Sequence, residues 1–326
     1  MKLNLNLNQN ARKLFDYVVA NAEFLKVRVI TLSNGTTVID AGVESVGSWT
    51  AGKYFAEICL GGLGNVQFTQ IHLKEFSLPG VQVVVDWPVL GCMASQYAGW
   101  KIETDSYLAM GSGPARLLAR VEKLFSQIDY QEESSTAVIA LESSGLPGVE
   151  VARFIAEKCH IKPENLSIIV ASTDSLVGSI QIAARVVETG LHKMLELGFD
   201  LNKILTGFGT CPIAPVIKNP LKAIGRTNDC ILYGGEAYYT LEGSDSEITQ
   251  ILNRIPASSS KDYGIPFYEL FHRYQDFYKI DPLLFSPARI TLNNISSGKV
   301  FQAGQINERL LAISLFQESE CSLTAM

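Results

Sequence analysis

Two side chains of opposite charge stand three residues apart in an otherwise apolar stretch. In "GSIQIAARVVETGLHKMLELGFD", Gly178 to Asp200, Arg185 and Glu188 interrupt a surface made by Ile180, Ile182, Val186, Val187, Leu191, Met194, Leu195 and Leu197. The apolar periodicity predicts one long helix, and the i,i+3 spacing puts both charges on one of its faces. An exposed pair of this kind contributes only about 0.2–0.5 kcal/mol. Here the neighbours are Ala or β-branched apolar residues, so no solvated face is evident. Burying the pair costs desolvation and is kept only for some return. Two returns are open: a structural ion pair, or a carboxylate held ionised and oriented as a base at the edge of a cleft.

Other candidates carry weaker patterns. Glu142, with Ser143 beside it in "ALESSGLP", follows a short apolar strand at the carboxyl end where α/β proteins build sites; a solvated helix N-cap explains the same residues. "GSGPAR" sets Gly111, Ser112 and Gly113 before a helix start, suited to an anion or a polar ligand edge, or to a plain strand-to-helix turn. It fits neither the phosphate-loop nor the dinucleotide spacing. Gly61 and Gly62 in "GGLG" serve first as a helix stop. We expect these glycine turns to line a cleft where a Cβ would obstruct a flat ligand. Ser95 and Gln96 in "SQYAGW", and Gln181 one turn before Arg185, complete the expected substrate-binding set. The four histidines (72, 160, 192, 272) stand in no nucleophile or metal signature; His160 reads as a helix-end residue, and His192, one turn past Glu188, faces either site or solvent. Nothing resembles H-E-x-x-H, so the expectation is no metal and no cofactor.

The elements that must position these residues alternate in type. A helix pattern around Ala11 to Leu25 precedes a hairpin, "VRVITLSNGTTVIDAGV", turning at Asn34-Gly35. A helix from Thr50 to Cys59 follows, then strands "VQFTQIHL" and "VQVVVDW". "YLAMGSGPARLLARVEKLF" runs from strand to helix, with Pro114 in the first turn. "TAVIALESS", the helix "GVEVARFIAEKC" and "LSIIVASTDS" have β-α-β spacing. After the Arg185 helix come "KILTGFGTCPIAP", a strand "DCILYGGEAYYTL", a polar helix from Asp245 to Asn253 and a last strand "ARITLNN". The expected fold class is α+β (mixed α/β): two α/β domains, 1–130 and 131–326, with strands open to exchange between them and a substrate cleft between the two.

Bulk properties bound the function. The 326 residues are 47% hydrophobic and only 18% charged, which points to a large core and to surface buried between subunits. A net charge of −6 disfavours nucleic acid. No run of eighteen apolar residues predicts a membrane span, and "MKLNLNLNQNARKL" lacks the apolar region of a secretion signal. Six scattered cysteines (59, 92, 159, 211, 230, 321) without C-x-x-C predict reduced thiols in a cytoplasmic protein.

The segments "VIDAGVESVGSWTAGKYFAEICLGGLG", "SQYAGW", "AMGSGPARLLA", "ALESSGLP", "VGSIQIAARVVETGLHKMLELGFD", "GRTNDCILYGG" and "FYKIDPLLFSPARITLNN" together resemble methenyltetrahydromethanopterin cyclohydrolase, in collinear order over nearly the whole chain. "SQYAGW" and "GRTNDCILYGG" look closer to the bacterial branch, which serves formaldehyde oxidation, than to the methanogen branch. The resemblance implies a cytoplasmic hydrolase without metal or cofactor, a homotrimer of two-domain subunits, and a pterin substrate in the cleft. It also implies that Arg185 and Glu188 match the family's catalytic R-x-x-E pattern. Rival readings are a thiol-dependent acyl or amide hydrolase using Cys211, a non-catalytic pterin-binding subunit, and a folate-specific cyclohydrolase, which lacks the Rossmann-type signature expected of it.

Overall fold

A computed structural model describes residues 5–275 and 279–316. Cys321 and the first two residues of "FYKIDPLLFSPARITLNN" lie outside the described residues. The strands in chain order are β1 (Arg28–Thr31), β2 (Thr37–Gly42), β3 (Gly64–His72), β4 (Ser77–Val85), β5 (Trp100–Thr104), β6 (Tyr107–Ser112), β7 (Ala137–Glu142), β8 (Leu166–Ala171), β9 (Ile204–Pro212), β10 (Glu236–Leu241), β11 (Arg289–Asn294) and β12 (Lys299–Gly304). They form two mixed six-stranded sheets, ordered β1-β2-β8-β7-β6-β5 and β12-β11-β10-β9-β4-β3, so the fold is α+β. Each sheet draws strands from both sides of residue 130.

In the first sheet the expected Asn34-Gly35 hairpin joins β1 and β2, with Gly35 at φ +88°. The expected β-α-β unit is also present: β7 and β8 pair in parallel across the helix Val149–Lys158. At β2, β7 and β8 both faces of this sheet are buried, which explains the continuous apolar runs of β7 and β8. Ile139 and Leu141 of β7 and Ile168 and Val170 of β8 pack with Val151, Ala152 and Ile155 of that helix. The alternate residues Val138, Ala140 and Ile169 meet Phe15 and Val18 of the helix Leu7–Ala20 and Phe55 and Ile58 of the helix Trp49–Cys59. The second sheet buries one face. Val81, Val83, Tyr239, Leu241, Ile290 and Leu292 pack there against Val186, Val187 and Leu191.

Four local expectations are corrected. The opening helix spans Leu7–Ala20, and Asn21 separates it from a short turn, Ala22–Leu25. Asp229 to Gly234 are not strand but the end of a helix, Pro220–Gly234; Asn219 caps it through Lys222 N (3.0 Å), Pro220 opens it, and the strand begins only at Glu236. A short apolar run such as "CILY" fits either element, and the cap decides. The helix after "GSGPAR" is only Ala115–Ala119, ended by Arg120 in the left-handed region at φ 46°. Finally, Gly178 to Asp200 is two helices, Leu176–Ala183 and Val186–Glu196, with the break at Ala184–Arg185.

Candidate active site

That break places the charges. Arg185 N bonds Ile182 O in a tighter i→i−3 step, and Arg185 O then accepts from Thr189 N to start the second helix. The second helix lies unusually close to the second sheet: a Cβ on Gly207 or Gly209 of β9 would come within 2.6 Å of a Val187 methyl or 2.7 Å of a Val186 methyl. Tyr239 Oη of β10 donates to Val187 O at 2.7 Å, where Gly190 leaves room for its ring. Val186 and Val187 are thus pinned to the sheet, and Arg185 and Glu188 are carried with them.

Both charges are buried, Arg185 at 8% and Glu188 at 4% exposure. Of the two contacts open to Arg185, the glutamate or a carbonyl, it makes the second: among the described residues no Arg185–Glu188 ion pair lies within 4.0 Å. Arg185 instead uses Nη1 on Gln96 O (2.6 Å) and donates from Nε (3.1 Å) and Nη2 (3.0 Å) to Gln181 Oε1. Gln181 Nε2 donates in turn to Glu142 Oε2 (2.8 Å), and Thr173 Oγ1 donates to Glu142 Oε1 (2.6 Å). Among the described residues the Glu188 carboxyl forms no hydrogen bond. Burial raises its carboxyl above the ordinary glutamate range, opposed by the positive charges of Arg185, His192 and Arg116.

Arg185, Glu188, Gln181, Glu142 and Gln96 are therefore brought together. Gln96 ends a π-helical segment, Val89–Gln96, a form often found at functional sites. Its carbonyl accepts from both Arg185 and Ser112 Oγ (2.6 Å), its Nε2 donates to Ala184 O (3.1 Å), and its buried Oε1 has no partner among the described residues. Ser95 faces away, Oγ donating to Cys59 O (2.6 Å), and Ser143 Oγ donates to Leu108 O (2.7 Å). The glycine turns are packed by protein. A Cβ on Gly61 or Gly62 would meet Leu7 or Asn10, one on Gly111 would meet Ile102 and Trp100 O, and one on Gly113 would meet the backbone of β7. The Gly113 N–H is taken by Ser95 O at 2.7 Å.

Two residues that sequence reasoning left out, Arg116 and Tyr97, border the same place, and so does His192, which it left open between site and solvent. Arg116 is fully buried, donating to Met93 O (3.1 Å) and Ser95 O (3.0 Å) and pairing with Glu122. It therefore fixes the π-helical segment from behind. Its guanidinium lies 5.3 Å from the Tyr97 ring, and Tyr97 stacks on His192 (5.0 Å between centroids, 15° between planes). These rings flank a cleft of about 440 Å³ that Glu122, Gln127 and Glu196 also line. Burial, then the charge of Glu188, pushes the Tyr97 phenol up to about 12. The one available signal was an arginine embedded among small residues in "GSGPAR". Cys211 is a poor nucleophile: it is buried in β9, its thiol donates to Pro212 O at 3.4 Å, and burial pushes its pKa up, leaving little thiolate.

The arrangement holds one buried carboxyl, without a hydrogen bond among the described residues, close to the guanidiniums of Arg185 and Arg116 and to His192, whose ring lines the neighbouring cleft; such a carboxyl suits proton transfer. The chain matches the family model described as Cyclohydrolase (MCH) over residues 6–315. It is 43% identical to the methenyltetrahydromethanopterin cyclohydrolase of Methanococcoides burtonii over 310 residues, 94% of this chain and 97% of that one. It is 45% identical to the enzyme of the same name from Methanothermobacter marburgensis (94% and 98% covered). The corresponding figure for Methanocaldococcus jannaschii is 43% (95% and 98% covered).

Proposed function

The chain belongs to the methenyltetrahydromethanopterin cyclohydrolase family, and on that premise we propose that Glu188 is the group that moves protons as water opens the substrate ring. The enzyme is a hydrolase of a cyclic amidine C–N bond: the N5,N10-methenyl cation of tetrahydromethanopterin and water give the N5-formyl derivative and a proton, reversibly. Water adds to the single bridging carbon while the Glu188 carboxylate takes one of its protons, leaving a neutral tetrahedral aminal. Glu188 then returns that proton to N10 as the C–N10 bond breaks, and the hydroxyl proton leaves to solvent as the formyl C=O forms. A carboxyl raised by burial serves both halves, because base and acid roles are each best filled by a pKa close to the working pH.

The observation that carries this reading is the Glu188 carboxyl itself, buried and without a hydrogen bond among the described residues. A bound cation offsets its desolvation cost and draws it toward the ionised form. Arg185 is tied to Gln181 and Gln96 O, so it acts on Glu188 by charge and does not oppose the cationic carbon at contact distance. We place the flat pterin in the cleft beside the Tyr97–His192 stack, with Gln96, Ser112, Glu142 and Gln181, joined by hydrogen bonds around Arg185, at its inner end. The family likeness also supports a cytoplasmic homotrimer. Among the described residues no helix is long and apolar enough to cross a membrane.

Loss of the methenyl chromophore on mixing the purified protein with methenyltetrahydromethanopterin tests the function, with methenyltetrahydrofolate as the control. Rapid catalysed loss with the former only is expected. Equal rates with both, or no catalysis with the former, would contradict the assignment.

A further inference from the structure

Arg185 donates from each of its three guanidinium nitrogens, and none of these bonds goes to the carboxylate three residues away. Nε and Nη2 go to the Gln181 oxygen and Nη1 to the Gln96 carbonyl, both neutral acceptors. The Gln181 amide cannot turn to repel this guanidinium, because its nitrogen is committed to Glu142 Oε2 at 2.8 Å. Glu142 is held in its turn by Thr173. The negative charge that balances Arg185 therefore sits one amide away, behind Gln181, at the carboxyl end of β7. We propose that Gln181, backed by Glu142, is a positioning residue that holds the Arg185 guanidinium off Glu188 and so keeps the Glu188 carboxylate free to accept a proton. The proposal rests on Glu188 being the proton-transfer group.

The physical reason is a competition for one cation. A guanidinium in direct contact with a carboxylate occupies its lone pairs and lowers its pKa by about 1–3 units, which makes a weaker base. Gln181 stands four residues before Arg185 across the helix break, where it can catch the guanidinium with the geometry seen here. The other groups that face Glu188 are fixed independently. Arg116 comes from the helix Ala115–Ala119, His192 from the next turn of its own helix, Cys92 and Tyr97 from the π-helical segment and the residue after it, and Tyr239 from β10.

The kcat–pH profiles of wild type, Gln181→Met, Glu142→Gln, Arg185→Leu and Glu188→Gln test this. Gln181→Met keeps length but frees Arg185 to fall onto Glu188. Its acidic limb should move about 1 unit to lower pH and its plateau kcat should drop about tenfold, with KM little changed. Glu142→Gln keeps shape and removes the balancing charge, so it should move the limb in the same direction by less. Arg185→Leu removes the cation altogether and should move the limb the opposite way. A Gln181→Met limb that stays in place, or follows Arg185→Leu, overturns the proposal; if that variant does not fold, an unmoved limb in Glu142→Gln does so alone. A limb that survives in Glu188→Gln shows instead that Glu188 is not the titrating group, which separates failure of the premise from failure of the relay.

Discussion

At the scale of the residue, the pair singled out by its spacing is buried at the centre of the candidate site, but the relation between its members differs from the one the spacing implies. An i,i+3 distance on an unbroken helix would bring the two charges together; with the break at Ala184–Arg185, Arg185 turns back to Gln181 and Gln96, and the Glu188 carboxyl has no hydrogen bond among the described residues. One partner of Arg185 is the carbonyl of Gln96, 89 residues away in the chain, and no local pattern reports such a contact. Glu142 and Gln181 were singled out as candidates from strand-end position and helix spacing, while their hydrogen bond to each other was not legible. The charge of Arg185 opposes the burial that raises the Glu188 carboxyl. Replacing Arg185 with Leu therefore leaves burial less opposed, raises that pKa further, and shrinks the ionised fraction at any given pH. The acidic limb of the kcat–pH profile should move up by about 1 unit, measured under saturating substrate. A limb at the wild-type position would show that Arg185 exerts no electrostatic hold on the base.

At the scale of the element, most strands and the tight turn were the legible part. The β-α-β unit and the Asn-Gly hairpin follow from alternation and turn chemistry that act over a few residues. The π-helical segment was not legible, because Arg116 and Ser112 hold it through bonds to its carbonyls from outside. Gly113 shows how a turn can be needed for a reason other than ligand access. Its φ of +96° and its contact with the β7 backbone both exclude a side chain. Gly113→Ala should cost about 1–2 kcal/mol, which for a chain of this size lowers Tm by about 2–3 °C, with KM unchanged in the folded fraction. A raised KM at unchanged Tm would return this turn to the ligand cleft.

At the scale of the whole molecule, the two sheets interleave along the chain: β2 pairs onward with β8, and β4 with β9, so no single cut yields two complete sheets. Nearest-neighbour patterns cannot foresee that order. One face of the second sheet is left open, with Phe208 and Tyr238 paired in register and 39% and 37% exposed. This apolar row suits burial by another copy, in keeping with the low charged fraction. Light scattering should give about three times the 35.7 kDa subunit mass, and a strict monomer at micromolar concentration would contradict this. Stability should also carry one pH signature. Burial raises the Asp229 carboxyl to about 7, against about 3.9 in an unfolded chain, while Phe267 N and Ser314 Oγ bond to it. The native state therefore keeps this proton longer than the unfolded state does, and its stabilisation is lost as pH rises from about 4 to about 7. Asp229→Asn should gain Tm relative to wild type across that window, and parallel Tm–pH curves would show that the group titrates normally.

The most direct test of the central claim is the turnover of Glu188→Gln, followed as loss of the methenyl chromophore with saturating substrate. The glutamine keeps the size of the side chain and cannot take a proton from water. A kcat lower by about 10²–10⁴ in a folded protein, with a much smaller change in KM, is the expected result. A kcat close to that of the wild type would contradict the account and leave the buried carboxyl a feature of packing alone.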